Sequence, residues 1–318
     1  MIDLADVSRW LLDPLERTFM QHAFLAIIMV GVICGATGAF VTLRGLAFMG
    51  DALSHAIFPG VAIAFVTGGN FLVGALVAAV IVSIGIGTIS QGGRISHDTS
   101  IGVIFAGAFA LGIAIISVQQ SYARDLNSFL FGTILGVTRD DLALTATVGG
   151  LVLLALLLFR RELTAVAFDR TFAASRGLRL WRWDQLFLLL LALSIVISIQ
   201  TVGNILVLAM LVTPPATARL LTDRLTTMVV LSSVIGALCG VVGLYLSYWQ
   251  NIPSGACVVL VATAVFLVVF LLGPRAGLLT VWLRHRLHHG HPERDAGMTR
   301  PAIATSTTDP LAGDTDQP

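Results

Sequence analysis

The stretch that decides the fold is residues 43–64, LRGLAFMGDALSHAIFPGVAIA, which joins one apolar segment to the next. It carries Asp51 and His55 four residues apart, a spacing that places two side chains on one face of a helix, about 5–6 Å apart. A carboxylate in mid-bilayer costs roughly 2.5–3.5 kcal/mol on insertion scales, so an acid here is a functional candidate. A carboxylate oxygen and an imidazole nitrogen suit a first-row divalent metal. We predict a metal-ion site; the alternative is that the two side chains only pair with each other or cap a helix.

The composition indicates that this stretch belongs to a membrane protein. Hydrophobic residues make up 56% of the 318 residues and charged residues only 12%, against about 25% in soluble domains. The chain is long enough for eight or more spans of about 20 residues. Its net charge of +1 and the lack of a basic run argue against nucleic-acid binding. The predicted fold class is therefore all-α, a polytopic helical membrane protein.

The apolar segments on either side of this stretch predict nine spans, and eight to ten are compatible with the pattern. Their approximate bounds are 19–43, 51–66, 71–89, 101–118, 142–159, 183–200, 202–221, 227–249 and 254–272. The piece 126–137 is too short for an ordinary crossing helix, because stretches of about 10–14 residues are more often re-entrant or interfacial. If it crosses, the count is ten; the placement of Arg44 and Arg94 on the cytoplasmic side favours nine.

The loop 160–182 is the most basic part of the chain, with six arginines, and the positive-inside rule places it in the cytoplasm. Within it, Phe172 and neighbouring apolar residues alternate with arginines, and Gly177 follows as a stop signal. This pattern predicts a short amphipathic helix. Such a helix can insert an aromatic side chain into a groove of a partner protein or lie on anionic lipid headgroups, and the residues themselves favour neither.

The chain is predicted to divide into a transmembrane domain, residues 1–286, and a disordered tail, residues 287–318. The tail is rich in Pro, Thr, Asp and Gly, a composition that cannot bury a core. Histidines cluster at the junction, at positions His285, His288, His289 and His291. Such tracts can bind metal; the alternative is an incidental, solvated cluster.

Several motifs resemble those of a known family, the membrane permease subunits of ABC importers for manganese, zinc and iron. The strongest is GDALSHAIFPGVA at 50–62. Further matches are DTSIGVIFA at 98–106, LFGTIL at 130–135, FDRTFAASRGL at 168–178, TVGNILVLAMLVTPPATARLL at 201–221 and IPSGACVVLVAT at 252–263. Together these motifs cover most of the chain from about residue 20 to 280.

The resemblance implies a multi-pass protein of the bacterial plasma membrane that works with cytoplasmic ABC ATPases and an external metal-binding protein. It implies metal coordination by Asp51 and His55, with Mn²⁺, Zn²⁺ or Fe²⁺ as cargo and no permanently bound cofactor. It also implies that 168–178 is a coupling helix that docks into the ATPase, through Phe168, Asp169, Arg170, Phe172, Ala173, Arg176, Gly177 and Leu178. The chain itself is not expected to be an enzyme, because it lacks a G-x-x-x-x-G-K-[ST] loop and contains no lysine.

One aspartate and one histidine are too few to hold a divalent ion. A two-fold homodimer is the commonest closed symmetry, and it would supply two carboxylates and two imidazoles. Three further residues are weaker candidates for a pathway or gate. Asp98 is predicted chiefly as a helix N-cap, with a metal contact as the alternative. Pro214 and Pro215 are predicted to kink their span and free backbone carbonyls, either to line the pathway or as a packing distortion.

Other functions fit the sequence less well. An ion-driven secondary metal transporter would normally show inverted repeats with broken helices, and no clear internal repeat is present. An ABC permease for a siderophore or cobalamin would need a wide pathway without the Asp and His ligands. An intramembrane metalloenzyme is disfavoured because H-E-x-x-H and G-x-S-x-G motifs are both absent.

Overall fold

The computed structural model describes residues 13–90, 96–117 and 134–273, apart from the side chain of His97. In these ranges the chain folds into helices joined by short turns. Their bounds are α1 Thr18–Leu43, α2 Ala47–Ala56, α3 Phe58–Thr67, α4 Phe71–Ser90, α5 His97–Ser117, α6 Arg139–Leu158, α7 Arg160–Phe168, α8 Arg170–Ser175, α9 Leu180–Val202, α10 Asn204–Leu221, α11 Leu225–Gln250 and α12 Ser254–Leu272. A single 3₁₀ turn, Ile134–Gly136, precedes α6.

The described part of the chain contains nine segments that are long and apolar enough to cross a membrane: α1, α2 with α3, α4, α5, α6, α9, α10, α11 and α12. Helices are the expected solution in lipid, because every backbone N–H and C=O must find its partner within the protein. The predicted all-α, polytopic fold is confirmed. Most of the predicted re-entrant piece, the loop arginine Arg94 and the histidine-containing tail lie outside the described residues.

Helices α1, α9 and α10 form the core of the bundle. α1 packs along α11 and against α10, α6 and α9, and α9 also packs against α4. Helices α5, α6 and α12 instead present most of their residues on the outside of the chain. Small residues let the central backbones approach: a Cβ added to Gly31 of α1 would collide with the backbone of α11 at Gly236 and Ala237.

The second span differs from its predicted form. It begins at Ala47, not near residue 51, because the turn that precedes it is fixed by Gly45 with φ of 69°. It is also broken between α2 and α3, where Pro59 occupies the first turn of α3. Proline has no N–H, so the carbonyl of His55 loses the donor that a continuous helix would supply four residues later. The break therefore falls just beyond His55.

Candidate functional site

Asp51 and His55, here called the ligand pair, lie on one face of α2. Asp51 Oδ1 is 3.4 Å from His55 Nε2, longer than the roughly 2.7–2.9 Å of a strong charge-assisted hydrogen bond. Neither residue caps the helix, since both lie inside it. The side chains are 43% and 28% exposed on the single chain, respectively. The two groups are therefore close enough to share an ion and are not locked to each other.

Two aromatic rings and one amide surround His55. Phe109 of α5 meets the imidazole edge-on at 5.5 Å between centroids, and Phe105, one turn earlier, lies at 6.0 Å. Asn204, the first residue of α10, places its Nδ2 3.5 Å from His55 Nε2. The turn that delivers this amide is Gly203, whose φ of 85° disfavours residues with a side chain. Three helices thus position the imidazole.

The ligand pair does not complete a metal site by itself. In the residues that the structure describes, no three His, Cys, Asp or Glu side chains are grouped so that they could hold an ion. Protein-bound divalent metals take at least four ligands. The pair shares its outer face of α2 with Phe48, which is almost fully exposed. A carboxylate left facing lipid would be costly, so this face of α2 is poorly suited to contact with lipid.

A second charged group, here called the arginine cluster, consists of Arg44, Asp184 and Arg170. Asp184, near the start of α9, accepts hydrogen bonds from Arg44 Nη1 and Arg170 Nη2, each at 2.8 Å. The Arg44 guanidinium also lies over the ring of Phe187, 4.3 Å from its centroid. Burial lowers the pKa of Arg44 from its ordinary value, and the Asp184 carboxylate partly offsets this shift. The cluster joins the end of α1, the start of α9 and the short helix α8.

The segment 168–178 folds as two pieces, although the sequence predicts a single helix. Phe168 ends α7, and Asp169 then breaks the helix and caps α8 by accepting a hydrogen bond from the Phe172 N–H at 2.9 Å. Asp169 is an efficient breaker because its side chain competes for backbone donors. Gly177, with φ of 79°, follows the end of α8. The predicted stop at Gly177 is confirmed.

The outer face of this segment is aromatic and basic. Phe168 and Phe172 are 62% and 52% exposed, large fractions for phenylalanine. The Arg176 guanidinium lies 5.8 Å from the centroid of the Phe172 ring. Ala173 faces inward and is buried, and Leu178 donates its N–H to the Ala173 carbonyl at 3.1 Å. The segment is therefore amphipathic, with its aromatic side chains available to a partner.

Asp98 is not the N-cap of α5, so that prediction is wrong. Ser96 holds the position, because its hydroxyl oxygen accepts a hydrogen bond from the Thr99 N–H at 3.1 Å. Asp98 lies in the first turn, is exposed, and makes no hydrogen bond or ion pair with another described residue. It precedes Phe105 by two turns, about 10 Å along the axis. A metal contact for Asp98 stays a prediction.

Pro214 and Pro215 lie inside α10, and both are buried. Because Pro215 has no N–H, the Leu211 carbonyl has no helical donor. Gly38 of α1 packs against this carbonyl and the Pro215 ring, leaving no room for a Cβ. These contacts favour a role in packing α1 on α10; a role in lining the pathway stays a prediction.

Comparison with known proteins identifies the family. Residues 16–273 match the ABC 3 transport family. The chain belongs to this family. It is 44% identical over 270 residues to the manganese transport system membrane protein MntC of Halalkalibacterium halodurans. This alignment covers 85% of this chain and 92% of that protein. The manganese import system permease protein ScaB of Streptococcus parasanguinis is 43% identical over 265 residues, 83% of this chain and 94% of that protein.

A solved structure supports the same assignment. PsaBC from Streptococcus pneumoniae in complex with Fab aligns with a TM-score of 0.76 and 38% identity, covering 87% of this chain and 99% of that one. The family that the motifs predicted is confirmed. With its nine apolar segments, this ABC 3 chain is a multi-pass protein of the bacterial plasma membrane.

The sequence did not predict a site role for three residues of this ABC 3 protein, Asp184, Arg44 and Asn204. Asp184 and Arg44 form the buried part of the arginine cluster, and Asn204 contacts the ligand pair. A signal existed for two of them: Asp184 is an acid inside a predicted span, and Asn204 is an amide within one, both costly in lipid without a partner. Nothing in the local sequence indicates their partners, which come from other helices.

Proposed function

We propose that this chain is the membrane-spanning permease subunit of an ATP-driven importer for a divalent transition-metal ion, with Mn²⁺ as its cargo. The observation that carries the proposal is the ligand pair, a carboxylate and an imidazole 3.4 Å apart on a helix of an ABC 3 protein. An oxygen and nitrogen set accepts Mn²⁺, Fe²⁺ and Zn²⁺ alike. Mn²⁺ is preferred because two relatives, each more than 40% identical, are named for manganese transport.

A homodimer completes the site in this proposal. The exposed side chains of Asp51 and His55 face the same outer surface of α2, so a two-fold axis beside this helix supplies two carboxylates and two imidazoles. That set forms a tetrahedral zinc site or, with waters, an octahedral manganese site. The long contact within each pair leaves the ligands available to replace hydration, and binding stays weak enough for release.

Helix α9 provides the physical link between ATP hydrolysis and the ion. It has 23 residues and is about 34 Å long at about 1.5 Å per residue. Near its start Asp184 holds Arg170 of α8; just past its end Asn204 contacts His55. Asp184 also holds Arg44, three residues before α2 begins. A displacement of α8 is thereby transmitted to the ligand pair by two routes, through α9 to Asn204 and through Arg44 to the start of α2.

Three partners follow from this role. A cytoplasmic ABC ATPase, on a separate chain, receives the exposed Phe168 and Phe172 in a groove. An extracytoplasmic metal-binding protein delivers the ion, and membrane lipid surrounds the outer helices. The aromatic surface favours ATPase docking over simple contact with lipid headgroups, because two half-exposed rings beside a rigidly anchored arginine form a shaped protein-binding surface.

The decisive experiment measures ATP-dependent Mn²⁺ uptake in proteoliposomes that contain the permease, its ATPase and its binding protein. Asp51→Asn keeps the shape of the side chain and removes its charge, so uptake is expected to be abolished while the complex still assembles. The matched control is Asp140→Asn, an exposed acid in the first turn of α6, which should transport like the wild type.

Full uptake by the Asp51→Asn variant would overturn the assignment of the site. Uptake that needs an ion gradient and no ATP would identify a secondary transporter instead. Uptake of each ion in the same vesicles ranks the cargo: manganese import requires that Mn²⁺ be accumulated faster than Zn²⁺ or Fe²⁺ at equal concentration.

A further inference from the structure

Asn204 is a buried amide with one half of its hydrogen-bonding capacity unused. The residue is only 5% exposed. Its Nδ2 contacts His55 Nε2 at 3.5 Å, whereas its Oδ1 has no hydrogen-bond partner in the described chain. A buried carbonyl oxygen without a hydrogen-bond partner is unfavourable. This oxygen lies in a side chain that contacts the ligand pair, and a bound cation would satisfy it, because an amide oxygen can coordinate a metal ion.

The three side chains converge on one atom. His55 Nε2 lies 3.4 Å from Asp51 Oδ1 and 3.5 Å from the Asn204 amide. Two atoms bound to the same metal at about 2.1 Å are about 3.0 Å apart at a right angle and about 3.4 Å apart at a tetrahedral angle. The His55–Asp51 and His55–Asn204 distances are therefore each close to the spacing of neighbouring ligands on one ion.

The orientation of the amide suits an unloaded site. An N–H directed at Nε2 is satisfied only while that nitrogen presents its lone pair. A metal ion takes this lone pair, so Nδ2 must leave when the ion arrives. A half-turn of the amide exchanges its nitrogen and oxygen, and it brings the orphaned Oδ1 to the position from which Nδ2 now contacts the ring.

We propose that Asn204 is a third ligand of the transported ion, binding through Oδ1 after this half-turn. The inference rests on the proposed function, since it takes the ligand pair as the cargo site. Two copies of the chain then supply two carboxylates, two imidazoles and two amide oxygens, enough for six-coordination without water. Carbonyl and carboxylate oxygens suit Mn²⁺, whereas Zn²⁺ is well served by fewer ligands with more nitrogen. Asn204 therefore selects Mn²⁺ over Zn²⁺.

The test measures binding directly, without transport. Mn²⁺ is titrated into the purified full-length permease and followed by the electron paramagnetic resonance of the free ion, and Zn²⁺ is measured by competition. Asn204→Leu keeps the size of the side chain and removes the oxygen. We expect Mn²⁺ affinity to fall about tenfold or more, Zn²⁺ affinity to change far less, and Asn204→Asp to restore Mn²⁺ binding.

The matched control is Thr201→Val, which removes a buried polar group three residues earlier that bonds to Thr145 and not to the site. It should bind both ions like the wild type. Thermal unfolding without metal checks that each variant is folded. Suppose that Asn204→Leu leaves the Mn²⁺ affinity and the Mn²⁺/Zn²⁺ preference unchanged, while Asp51→Asn binds neither ion. This result would show that Asn204 is not a ligand and would leave the proposed function intact. Unchanged binding in Asp51→Asn as well would instead remove the site itself.

Discussion

The ligand pair and the arginine cluster are both charged groups inside the same apolar bundle, and they are built in opposite ways. In the arginine cluster both carboxylate oxygens of Asp184 are occupied, each by a guanidinium at 2.8 Å, and the acid is buried. In the ligand pair the single contact is 3.4 Å long and both side chains reach the surface. The Asp184 carboxylate is thus fully paired, whereas the ligand pair is open on one side.

The difference separates a permanent contact from a transient one. A buried carboxylate between two arginines cannot be exchanged without leaving charges unpaired, so it fixes helices relative to each other. A carboxylate and an imidazole in loose contact can accept an ion and release it. The molecule therefore places its rigid joint where α8 meets the start of α9, and its open ligands on α2, where His55 contacts the residue that follows the far end of α9.

The largest expected effect comes from opening the closed cluster. Asp184→Asn leaves Arg44 buried without a counter-charge, which should destabilise the protein by about 3 kcal/mol or more. Thermal unfolding of the purified permease measures this loss. The control is Asp51→Asn, which should unfold like the wild type because its contact is long and partly exposed. If the two variants were equally stable, the contrast between the clusters would be wrong.

A second experiment asks whether the closed cluster carries the coupling. Arg170→Glu places a negative charge beside Asp184, whereas Arg176→Glu changes an arginine whose guanidinium lies beside the exposed Phe172 ring. We expect the first variant to hydrolyse severalfold more ATP per ion imported, because α8 is released from α9. The second should weaken docking of the ATPase and lower both rates together, at nearly constant stoichiometry.

The ratio of ATP hydrolysed to Mn²⁺ imported, measured in the same vesicles, distinguishes these outcomes. Arg170→Gln removes the charge without reversing it and should give an intermediate ratio. It provides a second test of the same contact if Arg170→Glu does not fold. A wild-type ratio in both Arg170 variants would mean that the arginine cluster is only structural.

The smallest effect is expected at the paired prolines, which belong to neither cluster. Pro215→Ala restores an N–H for the Leu211 carbonyl, which should stabilise the protein. It also removes part of a ring that packs near Gly38, which should destabilise it. Mn²⁺ affinity of the purified permease should remain within about twofold of the wild type, since neither change touches the ligand pair. A larger loss would support the prediction that the prolines line the pathway.

Much of the fold was accessible from the sequence, because the bilayer leaves few alternatives for long apolar segments. The spans were predicted to within a few residues, except where a local feature competes with hydropathy. The second span begins after the Gly45 turn, four residues before the start at Asp51 that the sequence predicted. Pro59 breaks this span in the middle. Ser96 takes the cap that was predicted for Asp98, since several adjacent residues can cap and only backbone geometry selects among them.

The sequence by itself determined the nine apolar segments, the four-residue spacing of Asp51 and His55, and the motifs of the family. All of these are local properties, set by neighbours within one or two helical turns. Only the tertiary structure decided that Asn204 meets His55 across 149 positions and that Arg44 meets Asp184 across 140. Hydropathy says which residues avoid water, but which helix lies beside which depends on close packing of small residues and on charges that must find a partner in lipid.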